Sequence, residues 1–147
     1  MNRFLKISGI VLWVEILCLS VIGLIYFVKY TTSVGEVEEF HTRFEVEILG
    51  DKKFEYQDAF FTKEYIEQSG GAPLELAFEK FGDYESCDAT EVEVWFNRDV
   101  ASVSAESKVD CQYSNWPVKL ELVYVKTESG WRVHFMRMIS EAFKNGL

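Results

Sequence analysis

Apolar residues along this chain follow three successive patterns. From Ile7 to Val28 they are almost continuous, "ISGIVLWVEILCLSVIGLIYFV", and Glu15 is the one Asp, Glu, Lys or Arg in the run. These 22 residues make about 33 Å of helix, enough to cross a hydrocarbon core of about 30 Å. Beyond a short polar stretch the period becomes helical and amphipathic. Val37, Phe40, Phe44 and Ile48 recur at steps of three and four, which predicts one buried helix face. Gly50-Asp51 ends that helix, and Asp51 is placed to cap a second one running to about Gln68, with Phe54, Phe61 and Tyr65 inward. Pro73 suits the first turn of a third helix, whose stripe is Leu74, Ala77, Phe78 and Phe81 and whose stop is Gly82.

After Gly82 the period is two. Val92, Val94 and Phe96 alternate with Glu91, Glu93 and Trp95, and Ala101, Val103, Ala105, Val109 and Cys111 alternate with polar residues. "SNWP" leads into a third strand, Val118 to Lys126, and "TESG" turns it into a fourth, Trp131 to Ile139. The expected architecture is α+β: a transmembrane helix, then about three helices packed on a curved four-stranded antiparallel sheet. A turn centred on Arg98-Asp99 pairs Phe96 with Ala101, Val94 with Val103 and Val92 with Ala105. One extra residue in a bulge between Asp88 and Glu91 is then expected to bring Cys87 opposite Cys111.

Charge sets the orientation of the apolar run. Arg3, Lys6 and the amino terminus precede it, whereas Lys29 alone follows before Glu36, Glu38 and Glu39, so the amino terminus is expected to stay in the cytoplasm. Tyr26, Phe27 and Tyr30 suit the outer aromatic belt, and Trp13 lies too deep for the inner one. Ser33-Val34-Gly35 is a passable cleavage site, but the run is long for a signal peptide, and an uncleaved signal anchor is the expectation. The organisation is therefore a cytoplasmic amino terminus over 1–6, an anchor over 7–28, a linker over 29–35 and an extracytoplasmic domain over 36–147, most simply periplasmic. Beyond residue 29 the chain carries 12 basic and 23 acidic residues, a net charge of −11 that repels phosphate backbones and argues against nucleic-acid binding. An oxidising compartment favours a disulfide between Cys87 and Cys111, with two buried free thiols as the alternative.

The stretch "VDCQYSNWPVKLELVYVKTESGWRVHFMRM" resembles the closing hairpins of nuclear-transport-factor-2-like (cystatin-like cone) domains. "ILGDKKFEYQDAFFTKEYIEQ" and "LELAFEKFGDYES" are similar to their helical half, so the resemblance covers nearly all of residues 36–140. It implies helices wrapped by a curved sheet, a domain type used by membrane-anchored envelope proteins, secretion-channel components among them. It also implies a sheet whose open face serves dimerisation, giving a candidate homodimer. The superfamily includes isomerases and dehydratases with acid-base groups in the cone pocket. By that analogy Asp58 with Tyr56, Tyr65, Tyr113 and Tyr124 are the candidate pocket residues. Tyrosines in an aromatic-rich core are also ordinary packing residues.

No catalytic signature accompanies these residues. His41 adjoins the buried helix stripe and His134 is expected opposite Val123, on the face carrying Arg132 and Met136; satisfied or exposed histidines are the better expectation for both. There is no phosphate-binding glycine loop, no GxSxG, no HExxH and no CxxC, so neither cofactor nor metal is expected. Trp95 falls on the polar side of its strand, where it is either a contact surface or covered by the Ala142-Phe143 segment. Glu15 costs a few kcal/mol near the middle of a bilayer unless it is protonated or partnered. Ser8 and Cys18 lie on its side of the helix, so the three are the candidate contact for another membrane helix, against a neutral glutamic acid merely tolerated there. The reading is a non-enzymatic, anchored binding or assembly domain within a larger membrane complex. A pocket for a small apolar ligand or lipid, or an isomerase or hydrolyase, is the alternative.

Overall fold

A computed structural model describes residues 2–69, 74–97 and 102–143, with side-chain surroundings from Trp13 onward apart from 89–91 and 97. The chain divides into two compact units, Met1–Ser33 and Val34–Leu147. Helix α1 (Asn2–Phe44) supplies the first unit and the opening of the second. Residues 29–35, expected as a linker, are helical. In the first unit the side chains from Trp13 to Val28 are exposed. Large apolar side chains without protein cover are consistent with a membrane anchor. Among the described residues this is the one helix long and apolar enough to cross a membrane.

The second unit is a layer of short helices on a four-stranded antiparallel sheet, ordered β1 (Tyr84–Asn97), β2 (Ser102–Tyr113), β3 (Val118–Thr127) and β4 (Gly130–Ile139). The predicted stripe of α1 is buried: Val37, Phe40, Phe44 and Ile48 all belong to the core. The helix continues as a π-helical segment, Glu45–Gly50, with Asp51 as its C-terminal flank.

The second predicted helix is broken into three pieces. These are a 3₁₀ turn (Phe54–Tyr56), α2 (Gln57–Phe60) and α3 (Lys63–Gln68), and Asp51 caps none of them. The break has a tertiary cause. Phe61 leaves the helix to bridge Val133 in parallel, and Thr62 N–H donates to the Val133 carbonyl at 2.9 Å. Thr62 then caps α3 by accepting from Tyr65 N–H at 3.2 Å. Helix α4 (Leu74–Phe81) has the expected inward residues, while Pro73 lies outside the described residues.

Gly82 ends α4 at φ +86, a conformation that favours glycine. Around it a clasp closes: Ser114 N–H donates to the Asp83 carbonyl (2.8 Å), Asp83 N–H to Ser114 Oγ (2.9 Å) and Lys52 Nζ to the Gly82 carbonyl (2.8 Å).

Each outer hairpin carries a bulge that reverses the alternation. Between β1 and β2, Phe96 pairs with Val103, Val94 with Ala105 and Val92 with Ser107, two residues further along β2 than expected. The turn at Arg98-Asp99 lies outside the described residues, but Asn97 opposite Ser102 leaves four residues, 98–101, to connect the strands. A shift of two keeps every side chain on its face, so alternation could not detect it.

The β1–β2 pairing has two irregularities, one between Tyr84 and Ser86 and one between Ala89 and Glu91; the second lies within the expected interval and works in the opposite sense. Continued strictly from Glu91 opposite Lys108, the ladder would set Cys87 against Gln112, and the bulge returns it to Cys111. The Cys87–Cys111 disulfide is formed there. In the last hairpin Val123 pairs with Phe135 and Tyr124 with Val133. His134, expected opposite Val123, is therefore the extra residue of a bulge.

Candidate functional site

The inner face of the sheet is packed with rings. Phe40 meets Phe60 and Tyr124, Phe44 meets Phe61, Phe78 meets Phe81 and Tyr113, and Phe81 meets Phe143, with centroids 5.5–5.9 Å apart. The five candidate pocket residues do not converge in this packing. Tyr56 and Asp58 are exposed on the 3₁₀ turn and α2. Tyr65 stacks on Phe61 at 5.1 Å, and its burial raises the phenol pKa. Tyr113 is buried and donates to the Leu49 carbonyl at 3.2 Å. Tyr124 is fully buried, and burial holds its phenol neutral far above the usual range.

One polar chain crosses the apolar interior. His41 Nδ1 lies 2.5 Å from Tyr124 Oη, and Tyr124 Oη lies 3.0 Å from Ser107 Oγ. All three residues are buried. His41 was expected to be satisfied or exposed; it is 5% exposed, satisfied at Nδ1 and without a partner at Nε2. Desolvation lowers its pKa, opposed by the negative charge of Glu45 one turn on. Glu45 itself accepts from Tyr84 at 2.6 Å, and burial together with that bond lifts the Tyr84 phenol to about 12. Ser107 escaped the sequence reading although a signal existed: it is the polar member of the inward phase of β2, between Ala105 and Val109. His134 is exposed, 3.3 Å from Thr62 Oγ1.

The outer face of the sheet is different in character. Trp95 is 55% exposed and Phe135 49% exposed, and Val123 and Val125 lie half-buried between them. The register sets Trp95, Ser104, Val125 and Arg132 in one row across the strands, and Glu93, Glu106, Val123 and Phe135 in the next. Towards the far end, Lys119 pairs with Asp110 (3.2 Å) and Arg137 with Glu121 (3.5 Å). Of the two readings for Trp95, cover by the carboxy-terminal segment fails. Ala142 is buried in the core and Phe143 packs edge-on against Phe81.

A groove of about 280 Å³ beside the β3–β4 turn is lined by Phe40, Arg43, Trp131 and Arg132 and bordered by the Glu36–Lys126 ion pair. The hydrogen bond from Lys126 lowers the Glu36 pKa. Among the described residues no group of His, Cys, Asp or Glu is placed to hold a metal ion.

In the first unit Glu15 and Cys18 are exposed, Cys18 is a free thiol, and the side chain of Ser8 lies outside the described residues. Ser20, by contrast, satisfies its hydroxyl on the Ile16 carbonyl of its own helix at 2.8 Å. No protein-family model, no curated protein and no solved structure matches the chain.

Proposed function

We propose that this chain is a single-pass membrane protein whose carboxy-terminal, cone-type domain is a non-enzymatic contact module within a larger membrane complex. The observation that carries the reading is the division of aromatic residues in the domain. The inner face is filled by rings, while Trp95 and Phe135 stand uncovered on the outer face. A ligand-sequestering or catalytic cone needs its polar groups around accessible space, whereas the polar chain here is sealed. Exposed tryptophan and phenylalanine beside arginine are the residue types that anchor interfaces.

In this reading the amino terminus is cytoplasmic and the domain lies outside, most simply in a periplasm, where the Cys87–Cys111 disulfide is stable. Glu15, with Ser8 and Cys18 on its side of the helix, meets a polar or basic group of a partner's membrane helix.

A second copy of the chain also fits the outer face. A two-fold axis along the strands between β2 and β3 would lay Lys108 of one copy over Glu121 of the other, and Asp110 over Lys119. The test is quantitative mass spectrometry of what co-purifies in mild detergent with the wild type, Glu15→Leu and Trp95→Glu, with mass measured by light scattering. A stoichiometric partner lost in either variant supports the proposal, and a dimer lost in Trp95→Glu supports the homodimer. Monomers that come down alone in all three preparations sink both.

A further inference from the structure

We propose that His41 is an acid-sensitive latch, and that protonation of its imidazole loosens the 37–50 stretch from the sheet. A neutral phenol both donates and accepts, so the chain can run in two directions: Tyr124 donates to His41 Nδ1 and accepts from Ser107, or it accepts from Nδ1–H and donates to Ser107. In either direction Nε2 is a buried atom with no partner.

The imidazolium donates from both nitrogens, so only the second direction, with Tyr124 donating to Ser107, suits it. Nε2–H still has no acceptor, and the ring now carries a charge in an apolar surround. The neighbouring ionisable groups do not compensate. On the same helix, Glu45 favours the cation through space, but its carboxylate is engaged by Tyr84 of β1. Arg43 lies over the Phe60 ring of α2 and faces Glu47. Glu36 is tied to Lys126 of β3. β3 otherwise offers the phenol of Tyr124, and β2 the non-titrating Ser107.

The folded state therefore resists a proton that the open state accepts at the ordinary value of 6.5. The latch is fully closed above that pH. Its opening constant rises about tenfold for each pH unit below it, until the lowered folded-state pKa is reached.

The full chain in lipid nanodiscs would be titrated from pH 8 to pH 5, following the His41 imidazole by NMR. Amide exchange over residues 37–48, corrected for intrinsic rates, would be recorded alongside. The expected result is a His41 midpoint below the ordinary 6.5, with opening of 37–48 growing about tenfold per unit below 6.5. In His41→Gln that growth should vanish. Ser107→Ala, which removes the acceptor the second direction needs, should lower the His41 midpoint further. The latch is overturned if His41 titrates at or above 6.5, if exchange over 37–48 is unchanged between pH 7.5 and 5.5, or if the Gln variant opens equally. Should His41→Gln not fold, the wild-type His41 midpoint and the Ser107→Ala shift still decide.

Discussion

Among the described glycines Gly82 has the least room for a side chain, and replacing it by alanine should cost far more than one methyl group suggests. A Cβ built there would lie 2.3 Å from Ser114 Oγ and 2.8 Å from Asn115 Nδ2, on a backbone held at φ +86. An L-residue in that region costs about 1–2 kcal/mol. The clash then displaces Ser114, which accepts from Asp83 N–H, and Asn115, whose side-chain amide reaches the Lys80 carbonyl at 3.5 Å. Losing one or two such bonds adds about 0.5–1.5 kcal/mol each.

The sum is about 1.5–5 kcal/mol. With a urea slope of about 2 kcal/mol/M, that is a midpoint lowered by about 0.8–2.5 M. The assay is urea unfolding of the full chain in detergent, followed by tryptophan fluorescence, for Gly82→Ala, Ser114→Ala and the double variant. Removing the hydroxyl relieves the closest contact, so the double variant should lose about 1 kcal/mol less than the two singles together. A Gly82→Ala loss below about 0.5 kcal/mol, or strict additivity, would refute the close approach.

Other expectations test separate parts of the fold. Phe44, fully buried against Phe60 and Phe61, should cost about 3–5 kcal/mol as Phe44→Ala in the same unfolding assay. Opening the disulfide by Cys87→Ser with Cys111→Ser should cost about 2–4 kcal/mol; reductant should mimic this in the wild type and do nothing to the double variant. Tyr84 has its folded-state pKa raised to about 12 against 10 in the unfolded chain, so the fold should lose stability as pH rises above 10. Difference absorbance at 295 nm should show one late-titrating tyrosine fewer in Tyr84→Phe. Trp95→Ala should leave the unfolding midpoint within about 0.5 kcal/mol of wild type while abolishing partner or dimer capture, because the side chain is exposed.

The elements of this chain were largely legible in sequence because each buries one face against the same core. The stripes Val37-Phe40-Phe44-Ile48 and Leu74-Ala77-Phe78-Phe81, and the alternation in four strands, need no knowledge of their neighbours. Two things were hidden. The β1–β2 register was wrong by two residues, a shift that periodicity cannot register, and the connection that sets it has no turn residue that fixes its length. The helix predicted over 51–68 was interrupted by a bond from another element. Phe61 and Thr62 leave helical conformation because Val133, on the edge strand β4, offers its carbonyl to Thr62 N–H, and no local propensity records that carbonyl.

The candidate sites divide along the same physical line. Trp95 could be singled out because an aromatic residue in the polar phase of a strand is an anomaly that one element reveals by itself. The His41–Tyr124–Ser107 chain is harder to see, since its members come from a helix and two strands and no single element shows that they meet. A polar side chain on a buried face is therefore the signal to follow: His41 beside Phe40 and Ser107 between Ala105 and Val109 are two such violations. Buried polar groups are rarely left singly because each needs a partner. Two violations on elements that share a core predict a third group between them, and here Tyr124 bonds to both.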